Sequence, residues 1–577
     1  MKPRDIFLVL IAIGAARLCI AGGAMHPEHG AHGMVVSIDE LASQAGVEMM
    51  KAGGNAVDAA VATGFALAVV QPAAGNIGGG GFMLVRMHDG AAHFVDFREK
   101  APASATPDMY EDAQGKVIPS LSVIGYKATG VPGSVKGLVY AEQHFGRLGL
   151  VRVMQPAIRL ARAGYALSWS DAREMTDDTG LAQYPDSRRI FQNDGNGWRQ
   201  GDIFKQPQLA RTLERIAADP DDFYHGQLAR ELVAFIQRGG GMVTLQDLAS
   251  YEVKDRVPIH GTYRGLEIIS APPPSSGGIA LIEALNILEG FDLTKAAADS
   301  AQSVHLVSEA YRRAFYDRAE FLGDPDFSNA PVAQLLDKPY AVAWRASVDV
   351  HHATRSLALE RPTTSPQLDR YAAQHPIRRA GRETLQTTHY SVVDADGNAV
   401  AVTTTLNDGF GSKVTVGPLG FLLNDEMDDF ASKVGVPNMY GLIQGTANAI
   451  GPGKRPLSSM TPTMVLKDGK LWLVLGAEGG PTIITTVANV LIGVADFGLD
   501  IQQAVNAPRF HNQWLPDRIE LERDRFSVDT VRLLEAQGNE VVAGDSGDAE
   551  CIAIDLATGE RLGASDSRNE AGRAVGY

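Results

Sequence analysis

The spacing of apolar and polar residues is typical of helices in the first part of the chain and of β-strands in the last part. Residues 39–52 place apolar side chains on one helical face, and Gly53 and Gly54 follow as glycines typical of a helix end. Asn55 is an N-cap residue for a second helix over 56–70, which is apolar on most sides. The pattern therefore predicts an amphipathic helix followed by a buried one.

Up to residue 386 the chain is predicted to be mainly helix and loop. A glycine run at 75–81 precedes a strand, which reverses the strand–loop–helix order of a nucleotide cradle. The stretch 150–330 is predicted to be mainly helical, with a helix that begins at about 279 after the segment PPPSSGG. The segment 350–384 is polar without periodicity, which predicts a long exposed loop.

At residue 387 the pattern changes to runs of residues typical of β-strands. Residues 389–394 and 398–404 are two such runs joined through an Asp-Gly turn, which predicts a hairpin, and PTMVLK and KLWLVLG repeat the arrangement. A helix is predicted over 481–497, and ECIAIDLATGERLGASD forms a further hairpin. Hairpins with flanking helices predict helices that cover a pair of antiparallel sheets.

Composition and charge narrow the class of protein. The 577 residues are 45% hydrophobic, which is ordinary for a folded globular protein. With 52 Lys and Arg against 68 Asp and Glu the net charge is −16, which argues against nucleic acid as a partner. The two cysteines, Cys19 and Cys551, cannot form a disulfide framework in a chain of this length.

The amino terminus has the three parts of a secretory signal. Lys2 and Arg4 precede a short apolar run, and small residues follow, which places the cut after Ala16 or near Ala24. The run is too short to span a bilayer, which needs about 20 residues. We therefore expect residues 1–24 to be a signal peptide and the protein to be periplasmic or secreted, with no stable membrane anchor. A buried first strand is the alternative interpretation.

Neither a metal nor a cofactor is expected. His26, His29 and His32 are close in sequence, but the prediction for them is a frayed terminus with solvated imidazoles. No HExxH zinc motif and no GxSxG nucleophile motif occurs. Cys551 lies inside an apolar strand, where a lone cysteine is typically a small core residue.

Thr387 is the remaining candidate for a nucleophile. It follows the polar loop, after Gln386, and opens the first strand of the second half. Inside a chain a threonine hydroxyl has no base of its own, whereas at a chain terminus its α-amine takes the hydroxyl proton. That amine has an ordinary pKa of about 7.7–8.0. The local pattern alone favours a simpler interpretation, a threonine pair of high β-propensity that opens a strand.

Several separate motifs resemble the γ-glutamyltranspeptidase family. They are DFREKAP at 96–102, GNIGGGGFML, PPPSSGGI, EAYRRAFYDRAEFLGDPDF, TTHYSVVDADGNAVAVTTTLN, LLNDEMDDF, GVPNMYGL, GPGKRPLSSMTPT and GAEGG. The resemblance runs from about residue 33 to residue 577. It implies an N-terminal-nucleophile hydrolase of the α+β class, a four-layer αββα sandwich that forms one compact body from two subunits after self-cleavage. The large subunit would be 25–386 and the small catalytic subunit 387–577, associated as a heterodimer.

The resemblance also assigns the catalytic residues. Thr387 matches the residue that attacks the carbonyl of Gln386 during maturation and then serves as the catalytic nucleophile. Thr405 matches the threonine whose hydroxyl hydrogen-bonds the nucleophile. Gly479 and Gly480 match the pair whose backbone N–H groups stabilise the oxyanion, where a side chain would obstruct the substrate.

A pocket for the zwitterionic γ-glutamyl head is implied as well. Arg98 matches the residue that binds the α-carboxylate in a bidentate fork, a geometry that lysine lacks. Ser458 and Ser459 add hydroxyl donors to the same carboxylate. Glu426 and Asp429 lie three residues apart, a spacing that lets both converge on the α-ammonium from one helical turn.

Two further residues complete the implied site, and two positions depart from the family pattern. Asn407 matches a polar residue of the pocket, and Tyr440 matches the tyrosine of a lid over it. Ala477 and Glu478 stand where the family usually has Ser-Pro before the two glycines, and Thr482 replaces a frequent arginine. Glu478 would place a carboxylate beside the oxyanion site, where it either slows turnover or points to solvent.

The function implied is that of a γ-glutamyltranspeptidase, or glutathione hydrolase. Such an enzyme transfers the γ-glutamyl group of glutathione and related γ-glutamyl compounds to water, or to amino-acid or dipeptide acceptors. One alternative is a β-lactam side-chain acylase of the same fold, whose glutaryl substrates lack an α-amine. The other is a non-catalytic homologue that binds γ-glutamyl peptides, which would fail to cleave itself.

Overall fold

The computed structural model describes residues 26–362 and 387–577, and its centre is a pair of stacked antiparallel sheets of seven strands each. The first sheet has, in spatial order, the strands Arg573–Gly576, Met34–Ser37, Thr388–Val393, Ala399–Thr405, Gly80–Arg86, Ala92–Asp96 and Lys254–Arg256. The second sheet has the strands Glu28–Gly30, Arg561–Ser565, Glu550–Ile554, Lys470–Leu475, Thr463–Lys467, Leu266–Ser270 and Ile259–Tyr263. The predicted signal peptide and Gln386 lie outside the described residues.

Helices and small sheets surround this centre. The small sheets pair Tyr165–Ala166 with Ile203–Phe204, Thr415–Val416 with Phe421–Leu422, and Ile519–Glu522 with Phe510–His511 and Val541–Gly544. The α-helices are Glu40–Lys51, Ala56–Val70, Ser120–Val123, Ser134–Phe145, Leu150–Val153, Gln155–Ala163, Trp169–Asp177, Pro185–Phe191, Pro207–Ala218, Gln227–Arg238, Leu245–Ala249, Gly277–Leu288, Ala301–Phe321, Val332–Leu335, Lys338–Ala346, Thr482–Ala495, Ile501–Asn506 and Val528–Ala536. Among the described residues, we find no helix with the length and apolar character needed to cross a bilayer.

The two faces of the first sheet belong to two different hydrophobic cores. In strand Gly80–Arg86, Phe82 and Leu84 pack into the core shared with the second sheet, and Met83 and Val85 pack into the core under the helices on the other side. Helices that contact the first sheet are Glu40–Lys51, Ala56–Val70 and Ser134–Phe145, and those that contact the second sheet are Gly277–Leu288 and Ile501–Asn506. The layer order is helix, sheet, sheet, helix, which confirms the predicted αββα sandwich.

The second helix of the chain shows why its composition suits a central position. Asn55 accepts hydrogen bonds from the amides of Val57 and Asp58, and the Asp58 carboxylate accepts one from the Asn55 amide, so a capping box closes the helix start. All residues of Ala56–Val70 are buried. Its small alanine side chains allow close approach to the strands beneath, as its nearly uniform apolar sequence predicted.

The sequence pattern did not predict three strands within one helical region. The region 150–330 is mainly helical, as predicted, but the strands Lys254–Arg256, Ile259–Tyr263 and Leu266–Ser270 interrupt it. The first two are edge strands of the two large sheets, and the third lies next to the edge. Two of these strands are partly exposed, so their apolar residues do not form the long run that marks a buried strand. The hairpins after residue 387 are confirmed to within a residue or two.

Each large sheet combines strands from both sides of residue 387. In the first sheet, Met34–Ser37 lies between Arg573–Gly576 and Thr388–Val393. In the second sheet, Glu28–Gly30 and Leu266–Ser270 flank four strands that all follow residue 387. The two parts of the chain therefore share both sheets and both cores.

Candidate active site

Thr387 immediately precedes a central strand of the first sheet. Its strand, Thr388–Val393, is paired on both sides, and Thr387 itself is buried. The neighbouring strand ends at Thr405, whose Oγ1 lies 3.5 Å from Oγ1 of Thr387 and accepts a 2.9 Å hydrogen bond from the amide of Asn407. The first distance is longer than an ordinary hydroxyl–hydroxyl hydrogen bond of about 2.7–2.8 Å. The two threonines are thus side by side, with their hydroxyls on one face.

A narrow cleft with about 280 Å³ of free space opens beside Thr387. Most of the residues that the sequence singled out line this cleft, although they come from widely separated parts of the chain. They are Arg98, Thr387, Thr405, Asn407, Glu426, Asp429, Tyr440, Ser458, Ser459 and Gly480, and apolar contacts come from Leu442, Met460, Pro481 and Ile483. Gly479 is not part of the lining, and an added Cβ there would lie against Thr482 and Gly547.

Arg98 joins the charged groups at the buried end of the cleft. It follows strand Ala92–Asp96, and its amide donates a 3.0 Å hydrogen bond to Oδ1 of Asp96, which fixes its backbone. Its guanidinium is fully buried, forms ion pairs with Glu426 and Asp429, and donates through Nε to the Pro456 carbonyl at 3.3 Å. The two acids begin and end a single 3₁₀ turn, as their spacing predicted.

Three carboxyl groups around one guanidinium give this end of the cleft an acidic character. Glu99 lies 3.7 Å from Nη1 of Arg98, and burial raises the pKa of Glu99 to about 7. Burial also raises the pKa of Glu426 well above its ordinary value, since the attraction of Arg98 does not fully offset the loss of water and the repulsion of Glu99 and Asp429. The site therefore favours a ligand group that carries positive charge.

Glu99 is a member of this cluster that the motif analysis missed. It is fully buried, and neither of its carboxyl oxygens has a hydrogen-bond partner among the described residues. Its position directly after Arg98 in DFREKAP was the available signal, because an acid next to a functional arginine is a candidate for its counter-charge. Alternation along an extended segment argued against this interpretation, because neighbouring side chains there usually point apart.

Gly479 and Gly480 occupy backbone conformations that suit glycine. Their φ angles are +117° and +54°, in the region that side chains disfavour. A Cβ on Gly479 would lie 2.5 Å from Oγ1 of Thr482, and one on Gly480 would lie 3.0 Å from the Tyr440 ring. Both glycines precede helix Thr482–Ala495, whose amino-terminal dipole favours negative charge. The segment has the properties of an oxyanion site.

Glu478 does not point toward the oxyanion glycines. Its side chain lines a second cavity with about 980 Å³ of free space, together with Asp39, Asp171, Glu174 and Asp548. Burial and the neighbouring Asp548 raise the pKa of Glu478 well above its ordinary value, which favours the neutral carboxyl group. The departure from the family pattern at this position therefore adds no fixed negative charge to the nucleophile cleft.

Tyr440 covers the cleft. Its hydroxyl donates a 2.8 Å hydrogen bond to the Asn407 carbonyl, and its own carbonyl accepts a 3.1 Å hydrogen bond from Nε2 of Gln513. The side chain is almost fully buried and lines the cleft. A tyrosine in this position can gate access to Thr387.

The comparison with known proteins decides the family. The family described as gamma-glutamyltranspeptidase matches residues 42–576. The chain belongs to the γ-glutamyltranspeptidase family.

Relatives of this family member include enzymes and solved structures. The glutathione hydrolase proenzyme of Escherichia coli K12 is 46% identical over 556 residues, which cover 96% of this chain and 93% of that protein. A crystal structure of cephalosporin acylase from Bacillus halodurans matches with a TM-score of 0.81 and 28% identity, covering 96% of this chain and 98% of its own. A chain of Helicobacter pylori gamma-glutamyltranspeptidase matches with a TM-score of 0.56 and 42% identity, covering 57% of this chain and 95% of its own.

These findings confirm three predictions for this γ-glutamyltranspeptidase-family protein. They are the family itself, the α+β sandwich of N-terminal-nucleophile hydrolases, and the assignment as a hydrolase or transferase. Within the described residues, no group of His, Cys, Asp and Glu side chains has a geometry that could hold a metal ion.

Arg98→Lys is expected to raise KM for a γ-glutamyl substrate about tenfold or more and to change kcat little. Lysine keeps the charge but cannot span Glu426, Asp429 and a substrate carboxylate at once, and this anchor is remote from the reacting bond. Steady-state kinetics on the purified variant measures both constants, with Arg264→Lys, at a partly exposed ion pair, as the control. Loss of maturation with an unaltered KM would make Arg98 a structural residue.

Gly480→Ala is expected to lower kcat about 10²-fold, because the new Cβ would displace the Tyr440 ring and the amide that is predicted to bind the oxyanion. Gly469→Ala is the matched control: that glycine also has a positive φ, of +74°, but an added Cβ there meets no atom. Turnover at saturating substrate is the measurement. Equal losses in the two variants would show that backbone strain alone accounts for the effect.

Proposed function

We propose that the protein is a glutathione hydrolase with γ-glutamyltranspeptidase activity, acting on glutathione and related γ-glutamyl amides through Thr387. The observation that carries the proposal is one cleft in which a guanidinium, two carboxylates and two serine hydroxyls stand within reach of a threonine at the start of a central strand. The name and 46% identity of the Escherichia coli relative support the same substrate.

Maturation by self-cleavage between Gln386 and Thr387 is part of the proposal. It would yield a large subunit, 25–386, and a small catalytic subunit, 387–577, that remain associated as a heterodimer. Thr387 at the very start of its strand supports this, because a new terminus there needs no rearrangement of the sheet. The match to the Helicobacter pylori chain covers 95% of that chain but only 57% of this protein. A relative whose separate chain corresponds to only part of this protein supports cleavage into two subunits.

The chemistry follows from the free amine of the mature terminus. The α-amine of Thr387 takes the proton of its own hydroxyl, and Oγ1 attacks the γ-carbonyl carbon of the substrate. The resulting oxyanion accepts hydrogen bonds from the amides of Gly479 and Gly480, and the ammonium returns its proton to the leaving amine as the amide bond breaks. A γ-glutamyl ester on Thr387 remains. Water, or the amine of an amino acid or dipeptide, then attacks this ester and regenerates the hydroxyl.

The charged cluster accounts for recognition of an amino-acid head. The substrate α-carboxylate binds to Arg98 and accepts hydrogen bonds from the hydroxyls of Ser458 and Ser459. The substrate α-ammonium forms ion pairs with Glu426 and Asp429, which pair with Arg98 when no ligand is present. Exchanging one set of ion pairs for another leaves no buried charge unpaired, which keeps the cost of desolvation low. Asn407 completes the polar wall.

An assay with glutathione tests the proposed activity. The purified, cleaved protein is incubated with glutathione alone and with glutathione plus glycylglycine. We expect release of free glutamate in the first case and formation of γ-glutamylglycylglycine in the second. A cleaved protein that binds glutathione but releases neither product would instead be a binding homologue.

Export is proposed on the sequence of residues 1–24 alone. Their charged start, short apolar run and small residues support a cleaved signal peptide and a periplasmic or secreted enzyme. Amino-terminal sequencing of the large subunit, after expression of the full chain and fractionation of the cells, locates both the cut and the compartment. Recovery of an intact terminus in the cytoplasmic fraction would contradict export.

A further inference from the structure

Arg318 is a buried arginine beneath the serine pair of the cleft. It lies near the end of helix Ala301–Phe321 and is almost completely buried. Its Nε donates a 2.8 Å hydrogen bond to Oγ of Ser276, and its Nη2 donates a 3.1 Å hydrogen bond to Oγ of Ser459. Nη1 has no hydrogen-bond partner among the described residues.

Arg318 differs from the other fully buried arginines in its lack of a counter-charge. Each of the others, Arg98, Arg312, Arg313, Arg455 and Arg509, forms at least one ion pair with an Asp or Glu side chain. Among the described residues, no carboxylate oxygen lies within 4.0 Å of a nitrogen of Arg318. A buried cation without a partner is costly, so an anion that reaches its vicinity gains stabilisation.

The bond to Arg318 fixes the direction of the Ser459 hydroxyl. Because Oγ of Ser459 accepts from a guanidinium, its own proton must point elsewhere, and the side chain lines the cleft. A hydroxyl that accepts from a cation is also a stronger donor, since hydrogen bonds in a chain polarise one another. Ser459 thus offers a polarised O–H toward the ligand.

Ser276 connects Arg318 to the other serine of the cleft. Its amide and its hydroxyl both donate to the carbonyl of Ser458, at 2.8 Å and 2.6 Å. Arg318, Ser276, Ser458 and Ser459 therefore form one hydrogen-bonded unit that ends at the ligand cleft.

We propose that Arg318 is a positioning residue for the α-carboxylate of the substrate: it orients and polarises Ser459 and supplies an unpaired positive charge behind it. This inference rests on the proposed γ-glutamyl substrate and adds a second cation, after Arg98, to the recognition of that carboxylate. It also accounts for the lack of a close ion pair at this buried guanidinium: Asp429 acts on it only from beyond 4.0 Å, and the bound carboxylate supplies the nearby anion.

Two anilides that differ only in the α-carboxylate test the proposal. γ-Glutamyl p-nitroanilide carries the carboxylate, and 4-aminobutyryl p-nitroanilide lacks it but keeps the amine. For Arg318→Gln we expect the ratio of their kcat/KM values to fall about tenfold, through a raised KM for the γ-glutamyl substrate with kcat little changed. Ser459→Ala should cost much less in the Arg318→Gln background than in the wild type, because both changes remove the same contact.

Arg318→Lys and Arg313→Gln complete the design. Lysine keeps the charge but cannot contact Ser276 and Ser459 together, so a smaller fall in the ratio of kcat/KM values is expected for Arg318→Lys. If Arg318→Gln does not fold, the ratio measured for Arg318→Lys tests the proposal in its place. Arg313, on the same helix but paired with Glu309, should change thermal stability and leave the ratio unaltered. An unchanged ratio in a folded Arg318 variant overturns the proposal, and so does the loss of folding in both variants, which would make the residue structural. A wild type without preference for the γ-glutamyl anilide would instead refute the proposed function and this inference with it.

Discussion

Replacing Thr387 by alanine is expected to leave a single uncut chain whose turnover falls on the order of 10⁴-fold or more. The variant lacks both the hydroxyl that would attack the preceding peptide bond and the nucleophile of the mature enzyme. The rest of the fold should persist, because the methyl group of alanine fits a buried position already occupied by a larger side chain. A denaturing gel and an assay with glutathione read out the two effects separately. The wild type should show a second band, the 191 residues from 387 to 577.

Two neighbouring changes make this result specific. Thr388→Ala alters the next threonine, which is also buried and whose hydroxyl has no partner among the described residues, and it should cut and turn over normally. Thr387→Ser keeps a hydroxyl and should restore cleavage at a reduced rate. A wild-type protein that is fully active as one uncut chain would refute the terminal-nucleophile mechanism.

The second large effect concerns Asp429, whose replacement by asparagine should lower kcat/KM for glutathione about ten- to hundredfold. A charge-assisted hydrogen bond to an ammonium contributes about 1.5–3 kcal/mol, and about 1.4 kcal/mol corresponds to a factor of ten. Asparagine keeps the size and one acceptor oxygen but leaves Glu426 as the remaining anion beside Arg98. A glutaryl amide, which has a carboxylate but no ammonium, should lose little.

The ratio of glutathione to glutaryl-amide turnover separates the proposed enzyme from an acylase. It should be high in the wild type and fall in Asp429→Asn. Asp428→Asn is the matched control, because Asp428 accepts hydrogen bonds from Ser122 and Met439 and does not line the cleft. If the wild type already prefers the glutaryl amide, or if Asp429→Asn leaves the ratio unchanged, the side-chain acylase is the better assignment.

Local sequence signals were sufficient for much of the fold. The Asn55 capping box, the uniformly apolar helix after it and the Asp-Gly hairpins each depend on interactions within a few residues, so their patterns are visible in the chain. The strands Ile259–Tyr263 and Leu266–Ser270 were missed because their place in the sheet is set by pairing with Thr463–Lys467, which lies far away in the sequence. Ile259–Tyr263 is also a half-exposed edge strand, so its sequence lacks the apolar run of a buried strand.

At the site, sequence motifs predicted which residues lie together but not how their side chains pair with one another. Motifs named the residues that line the cleft, but they did not reveal how the charges are arranged before a ligand arrives. That Arg98 pairs with Glu426 and Asp429 depends on a strand end and a 3₁₀ turn more than 300 residues apart in sequence. The role proposed for Arg318 could not be predicted from the sequence either. It rests on the absence of a close ion-pair partner, which only the folded structure shows.

Because both sheets combine strands from before and after residue 387, the cleaved enzyme should differ from the uncut chain in how it unfolds and refolds. Once the chain is cut, neither piece contains a complete sheet, so refolding becomes an encounter between two molecules whose yield depends on their concentration. The uncut Thr387→Ala chain keeps a concentration-independent transition, whereas the midpoint of the cleaved form should rise with protein concentration. In a dilute compartment an unfolded molecule would then seldom reassemble. The lifetime of the enzyme would be governed by how slowly it opens, and not by the equilibrium between its folded and unfolded states.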